Sequence, residues 1–88
     1  MKQLKLSVIG LGKLGICTAV CPAYRGYKVL GLDINQKTVD LVSQGKAPVV
    51  EPRLQDLMDK TKDRLKTTMD YKKIIDNSDI TFLKSNLL

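Results

Sequence analysis

Three glycines and one carboxylate have the types and spacing to do chemistry together. Gly10, Gly12 and Gly15 fall within Gly10-Leu11-Gly12-Lys13-Leu14-Gly15, and Asp33 lies 18 residues beyond the last of them. The glycines follow the apolar run Leu6-Ser7-Val8-Ile9 and precede a helical pattern, while Asp33 ends a second apolar run, Val29-Leu30-Gly31-Leu32. The order strand, glycine turn, helix, strand, acid gives a bare glycine motif its physical meaning. Gly10 permits a tight bend, Gly12 lets a phosphate approach the backbone, and Gly15 lets the helix pack closely on the sheet. Free amides and aligned peptide dipoles at the helix start then favour an anion. The pyrophosphate of a dinucleotide suits that arrangement. Asp33 can accept both hydroxyl hydrogen bonds of the adenosine ribose, and Ile34-Asn35-Gln36 offers no arginine to offset a 2′-phosphate. The cofactor read from these residues is therefore NAD rather than NADP. Leu11 and Leu14 read as packing residues. Lys13 reads either as a phosphate contact or as a lysine free in water.

The elements that must position these residues follow from periodicity and punctuation. Leu4 to Ile9 reads as a buried parallel strand. A helix from Leu14 to about Arg25 carries Ile16, Ala19, Val20 and Ala23 on one face and ends at Gly26. Pro22 inside it predicts a kink or a short irregular last turn. Val29 to Asp33 is a second strand, and Asn35 caps a helix carrying Val39, Leu41 and Val42 that Gly45 stops. Lys46 to Val50 should be extended. Pro52 fits the first turn of a third helix, with Leu54, Leu57, Met58 and Leu65 on its core side. Leu65 to Thr68 reads as a short strand, Asp70 as the cap of a helix with Ile74 and Ile75, and Asp79 to Leu83 as a fourth strand. This alternation predicts an α/β, Rossmann-like parallel sheet with helices on both faces, truncated after about four strands.

Composition bounds the partners. The chain has 88 residues, 43% of them hydrophobic, enough for one small domain with a core. Its net charge is +6, but the basic residues are scattered and interleaved with Asp56, Asp59, Asp63 and Asp70. No aromatic row accompanies them, so a solvated surface is favoured over nucleic-acid binding. Cys17 and Cys21 read as half-buried structural thiols. With no His and no second Cys pair, neither a metal site nor a disulfide framework is indicated. No apolar run is long enough for a membrane span and the start does not read as a signal peptide, so a cytoplasmic location is expected.

Longer stretches resemble one family. Ser7 to Gly15, Gly26 to Asn35, Gly45-Lys46-Ala47-Pro48-Val49-Val50-Glu51-Pro52-Arg53-Leu54, Arg64 to Tyr71 and Ser78 to Phe82 together are similar to the nucleotide sugar 6-dehydrogenases, which include UDP-glucose and UDP-N-acetylmannosamine dehydrogenases. The resemblance implies NAD-dependent, two-step oxidation of a UDP-sugar C6 alcohol to a carboxylate, production of sugar acids for polysaccharides, and a homo-oligomeric assembly. It implies a cofactor-binding set of Gly10, Leu11, Gly12, Lys13, Leu14, Gly15, Asp33, Ile34 and Thr68. Glu51 lies in a segment the family folds near the cofactor cleft, and Arg53 stands where the family usually has glycine. For Glu51 and Thr68, helix capping or loop structure is an equal alternative.

After Phe82 the chain reads Leu83-Lys84-Ser85-Asn86-Leu87-Leu88 where the family continues into a Val-x-Thr-Pro segment. The family's catalytic cysteine and sugar-nucleotide-binding residues belong to later parts of a longer chain. Residues 1–88 therefore read as a partial N-terminal NAD-binding domain with no catalytic residue and no metal ligand of its own. Such a piece is expected to be marginally stable, to self-associate or to depend on a missing C-terminal part. A standalone dinucleotide-binding or regulatory module, or an inactive truncated gene product, is the alternative reading.

Overall fold

A computed structural model describes residues 4–83. Four strands, β1 (Lys5–Ile9), β2 (Lys28–Leu32), β3 (Leu65–Thr68) and β4 (Ile80–Leu83), alternate with helices α1 (Lys13–Tyr24), α2 (Gln36–Ser43), α3 (Leu54–Asp59) and α4 (Tyr71–Asn77), with α2 and α3 in succession between β2 and β3. All strand pairs are parallel, in the order β3-β2-β1-β4. The chain steps outward from β1 to β3, then returns across the sheet to β4. Right-handed crossovers place the helices of the outward steps on one face and α4 on the other. The α/β doubly wound architecture expected from the sequence is present.

Alternation along the strands explains the core. Leu6 and Val8 of β1, Val29 of β2 and Leu65 of β3 share one face and pack with Ile16, Ala19, Val20 and Ala23 of α1, Val42 of α2, and Leu54 and Met58 of α3. Ser7 points the other way, where it is fully buried and its hydroxyl bonds the Thr81 hydroxyl at 2.8 Å across the β1–β4 pair. Ile74 of α4 is buried while Ile75 is exposed, as the period of a helix lying on a sheet requires.

The helix ends follow local chemistry. Asn35 accepts from the amides of Lys37 and Thr38, and Asp70 accepts from the amide of Lys72, so both predicted caps are present. Pro22 does not break α1. The final turn tightens instead, with the Arg25 amide shared between the carbonyls of Cys21 and Pro22, and Tyr27 and Gly26 closing back on Pro22 and Ala23. This is a Schellman closure. Arg64 reinforces it, donating from Nε to the Ala23 carbonyl at 2.6 Å.

Three local expectations need correction. Residues 46–50, expected to be extended, bend at 48–49 and are pinned by Gln55, which accepts from the Ala47 amide and donates to the Gly45 carbonyl. Pro52 sits in a turn before α3, not within its first turn, and α3 ends at Asp59, so Leu65 reaches the core from β3. The cause lies at Arg53, the α3 N-cap, whose φ of 67° and ψ of −6° are left-handed. A side chain there costs about 1–2 kcal/mol, partly offset by the greater unfolded-state entropy of glycine. Arg53→Gly is therefore expected to stabilise the chain by about 0.5–1 kcal/mol, a rise of roughly 2–8 °C in thermal unfolding. An unchanged or lower melting temperature would contradict the strain.

Candidate dinucleotide-binding site

The glycine turn lies at the carboxyl ends of β1 and β2, beside the point where the chain order reverses between β1 and β4. Ligands of open α/β sheets bind in that crevice. Gly10 turns the chain out of β1 with a φ of 96°, a conformation that favours glycine, and its amide donates to the Leu32 carbonyl at 2.7 Å. Gly12 is the N-cap of α1 with extended backbone and no side-chain cap, and its carbonyl accepts the first helical bond from Ile16. The opening amides of this 12-residue helix have no carbonyl four residues back within the helix. They suit an anion. Gly15 is buried in the first turn of α1.

Asp33 ties the turn to β2. Its Oδ2 accepts from the Leu11 amide at 2.7 Å and its Oδ1 from the Asn35 amide at 2.8 Å. Asp33 as a residue is 9% exposed. A carboxylate offers about four acceptor positions, so two backbone bonds leave capacity for a ribose diol. Asp33 is thus a bolt that holds the turn.

The other expected site residues divide. Leu11 is fully buried and packs over Gly31, as expected of a packing residue. Leu14 is not: it is 72% exposed on the outer side of the first helical turn. Lys13 is exposed and pairs with Glu51 at 3.5 Å, which brings the 46–53 segment to the lip of the turn. Ile34 stands 82% exposed beyond Asp33. Thr68 ends β3 opposite Leu32, and its hydroxyl accepts from the Asp70 amide at 3.1 Å. Thr68 therefore has a loop-structuring bond while lying on the β2 side of the same sheet end.

Cys17 is half-buried and Cys21 exposed, so the expectation of two half-buried thiols holds only for the first. Burial, followed by the nearby Glu51 carboxylate, pushes the Cys17 thiol up from its ordinary range. Among the described residues no group of three or more metal-ligating side chains comes together, and no helix is long and apolar enough to cross a membrane.

Gly31 of β2 lies directly beneath the Leu11 side chain. A methyl group there would meet the Leu11 Cδ1 and Cδ2 atoms at 3.0 and 3.1 Å. A glycine inside a strand is itself the signal of such a close approach.

A parallel sheet in this order, with a glycine turn feeding an uncapped helix and an acid ending the second strand, defines a Rossmann-type dinucleotide-binding unit. Residues 4–86 match the UDP-glucose/GDP-mannose dehydrogenase family, NAD binding domain, and the chain belongs to that family. NAD is the cofactor of this domain. The chain is 39% identical over 82 residues to a GDP-mannose 6-dehydrogenase of Pseudomonas aeruginosa, covering 91% of this chain and 19% of that protein. It is 41% identical over 81 residues to a UDP-glucose 6-dehydrogenase of Haloferax volcanii, with the same coverage of each. A crystal structure of a ternary complex of the P. aeruginosa GDP-mannose dehydrogenase superposes with a TM-score of 0.90 at 38% identity, over 94% of this chain and 20% of that one. The chain thus spans about a fifth of the length of these relatives.

Proposed function

We propose that this chain supplies the NAD-binding part of a nucleotide-sugar 6-dehydrogenase, an enzyme that oxidises a sugar C6 alcohol to a carboxylate. The observation that carries the reading is Asp33, buried and fixed to the Leu11 amide beside an uncapped helix start. Gly10, Gly12 and Gly15 shape the pyrophosphate cradle, and the first-turn amides of α1, including those of Lys13 and Leu14, face its charge. Lys13 adds a positive charge at the lip, shared with Glu51. Asp33 orients the adenosine ribose, Ile34 lies beside the adenine path, and Thr68 closes the β3 side. NAD, when bound, accepts the hydride; the residues of this chain hold and orient it.

The relatives include enzymes named for GDP-mannose as well as UDP-glucose, so the substrate class we propose for the full-length protein is a nucleoside-diphosphate sugar, with UDP-sugars among them. Domain 1–88 is then one part of a larger NAD-binding domain. The apolar side chains of Ile80, Phe82 and Leu83 are exposed on β4, which supports cover by a C-terminal part or by a second copy in a homo-oligomer. A cytoplasmic location belongs to the same reading, since NAD-linked metabolism is intracellular.

Calorimetric titration of the full chain with NAD and with NADP tests the cofactor assignment. NAD is expected to bind at least tenfold more tightly, because a 2′-phosphate would meet the Asp33 carboxylate. Tighter NADP binding, or no NAD binding by folded protein, would overturn it.

A further inference from the structure

We propose that the end of the sheet remote from the glycine turn carries a second anion site, suited to a small polyphosphate. Lys5 and Lys28 open β1 and β2 and stand directly opposite one another in register. Lys66 of β3 is opposite Leu30, the next residue on the same face as Lys28. These three lysines and Arg64 line one cavity of about 360 Å³ whose single carboxylate-bearing lining residue is Asp63.

Among the described residues none of the three ammonium groups lies within ion-pairing distance of a carboxylate; the salt bridge present joins Lys13 to Glu51. Asp79 is close in the fold, but its carboxylate accepts from the Lys5 backbone amide at 2.8 Å. Like charges directly opposite on neighbouring strands destabilise a sheet. This sheet therefore holds a repulsion that a bound multivalent anion would relieve. Arg64 is fixed beside it, with Nε on the Ala23 carbonyl and an Nη on the Lys60 carbonyl, so part of the positive wall is already ordered.

Spacing selects the ligand class. β1, β2 and β3 are successive neighbours, so the lysines spread over two interstrand steps, about 10 Å. One phosphate reaches one or two ammonium groups, whereas a short chain of phosphates reaches all three. Because the strands are parallel, Lys5 and Lys28 lie a strand length, roughly 13–16 Å, from the Ile9 and Leu32 ends that carry the glycine turn. For Lys5 and Lys28 that exceeds the Debye length of about 8 Å at physiological salt, so these two lysines are screened from the glycine turn, whereas Lys66, two residues before Thr68, lies nearer to it.

The test is a titration of tripolyphosphate into the full chain at constant ionic strength, followed by backbone and lysine side-chain NMR shifts with and without saturating NAD. Shifts at Lys5, Lys28 and Lys66 that persist with NAD bound are expected. In Lys5→Gln/Lys28→Gln/Lys66→Gln the affinity should fall at least tenfold, while thermal stability in the absence of ligand holds or rises. Should the triple variant fail to fold, Lys28→Gln alone is expected to bind at least threefold more weakly. Undiminished affinity in whichever variant folds, or shifts confined to residues 10–15 and abolished by NAD, would overturn the proposal.

Discussion

Replacing Asp33 with alanine is expected to destabilise the chain by about 2–4 kcal/mol and to weaken NAD binding by at least tenfold. The stability loss comes first from the Leu11 amide, whose buried bond to Asp33 Oδ2 at 2.7 Å has no evident substitute. An orphaned buried donor costs about 1–3 kcal/mol, and hydrogen bonds to a charged acceptor are stronger than neutral ones. The more accessible Asn35 amide adds a smaller share. The two backbone bonds make this a stability variant as well as a binding variant. Asp33→Asn separates the two roles, since it keeps one acceptor oxygen and should lose about half as much stability as the alanine variant, while losing the parent's discrimination between NAD and NADP. Chemical denaturation of the three proteins reads this directly. An alanine variant as stable as the parent would show that the carboxylate does not hold the turn.

Gly31→Ala is the second large effect, at about 1–3 kcal/mol of destabilisation with weaker NAD binding. The added methyl would stand 3.0 Å from Leu11 Cδ1, and Leu11 is fully buried, so its side chain has little room to retreat. Any retreat is passed to the Leu11 backbone, whose amide is the one bound by Asp33. The cradle is thereby linked to the middle of β2 through one packed side chain. If that is correct, Leu11→Val should relieve the clash: the double variant should be more stable than the sum of the two single losses predicts. Strict additivity, with NAD affinity unchanged in Gly31→Ala, would break the link.

Much of this fold was legible because its determinants are local. Asn35 and Asp70 announce their helices by hydrogen bonds made within three residues, and Gly26 and Gly45 end α1 and α2 by closures of similarly short range. Strand β3 was legible from four residues, Leu65 to Thr68. What escaped depends on contacts distant in sequence or on backbone angles that residue type does not disclose. Arginine at position 53 gives no sign of a left-handed conformation, and the true start of α3 follows from it. Lys13 and Glu51 are 38 positions apart, so their pairing exists only once the 46–53 segment is folded over α1. Leu14 shows the limit of composition: an apolar residue read as packing is exposed, because the first turn of α1 directs Ile16 inward and leaves Leu14 outward. The glycine turn and the placement of Asp33 beside it were legible from their spacing, but the structural work Asp33 does for the turn was not.

Residues 10–15 and Asp33 are expected to act together as one NAD cradle. Amide chemical-shift mapping of the full chain during NAD titration tests it most directly. The largest changes are expected at Gly12, Lys13, Leu14 and Gly15, with Leu11 and Ile34 responding beside Asp33, and the same perturbations should shrink at equal NAD concentration in Asp33→Asn. Perturbations centred elsewhere, with the amides of Gly12 to Gly15 unmoved at saturation, would contradict the account.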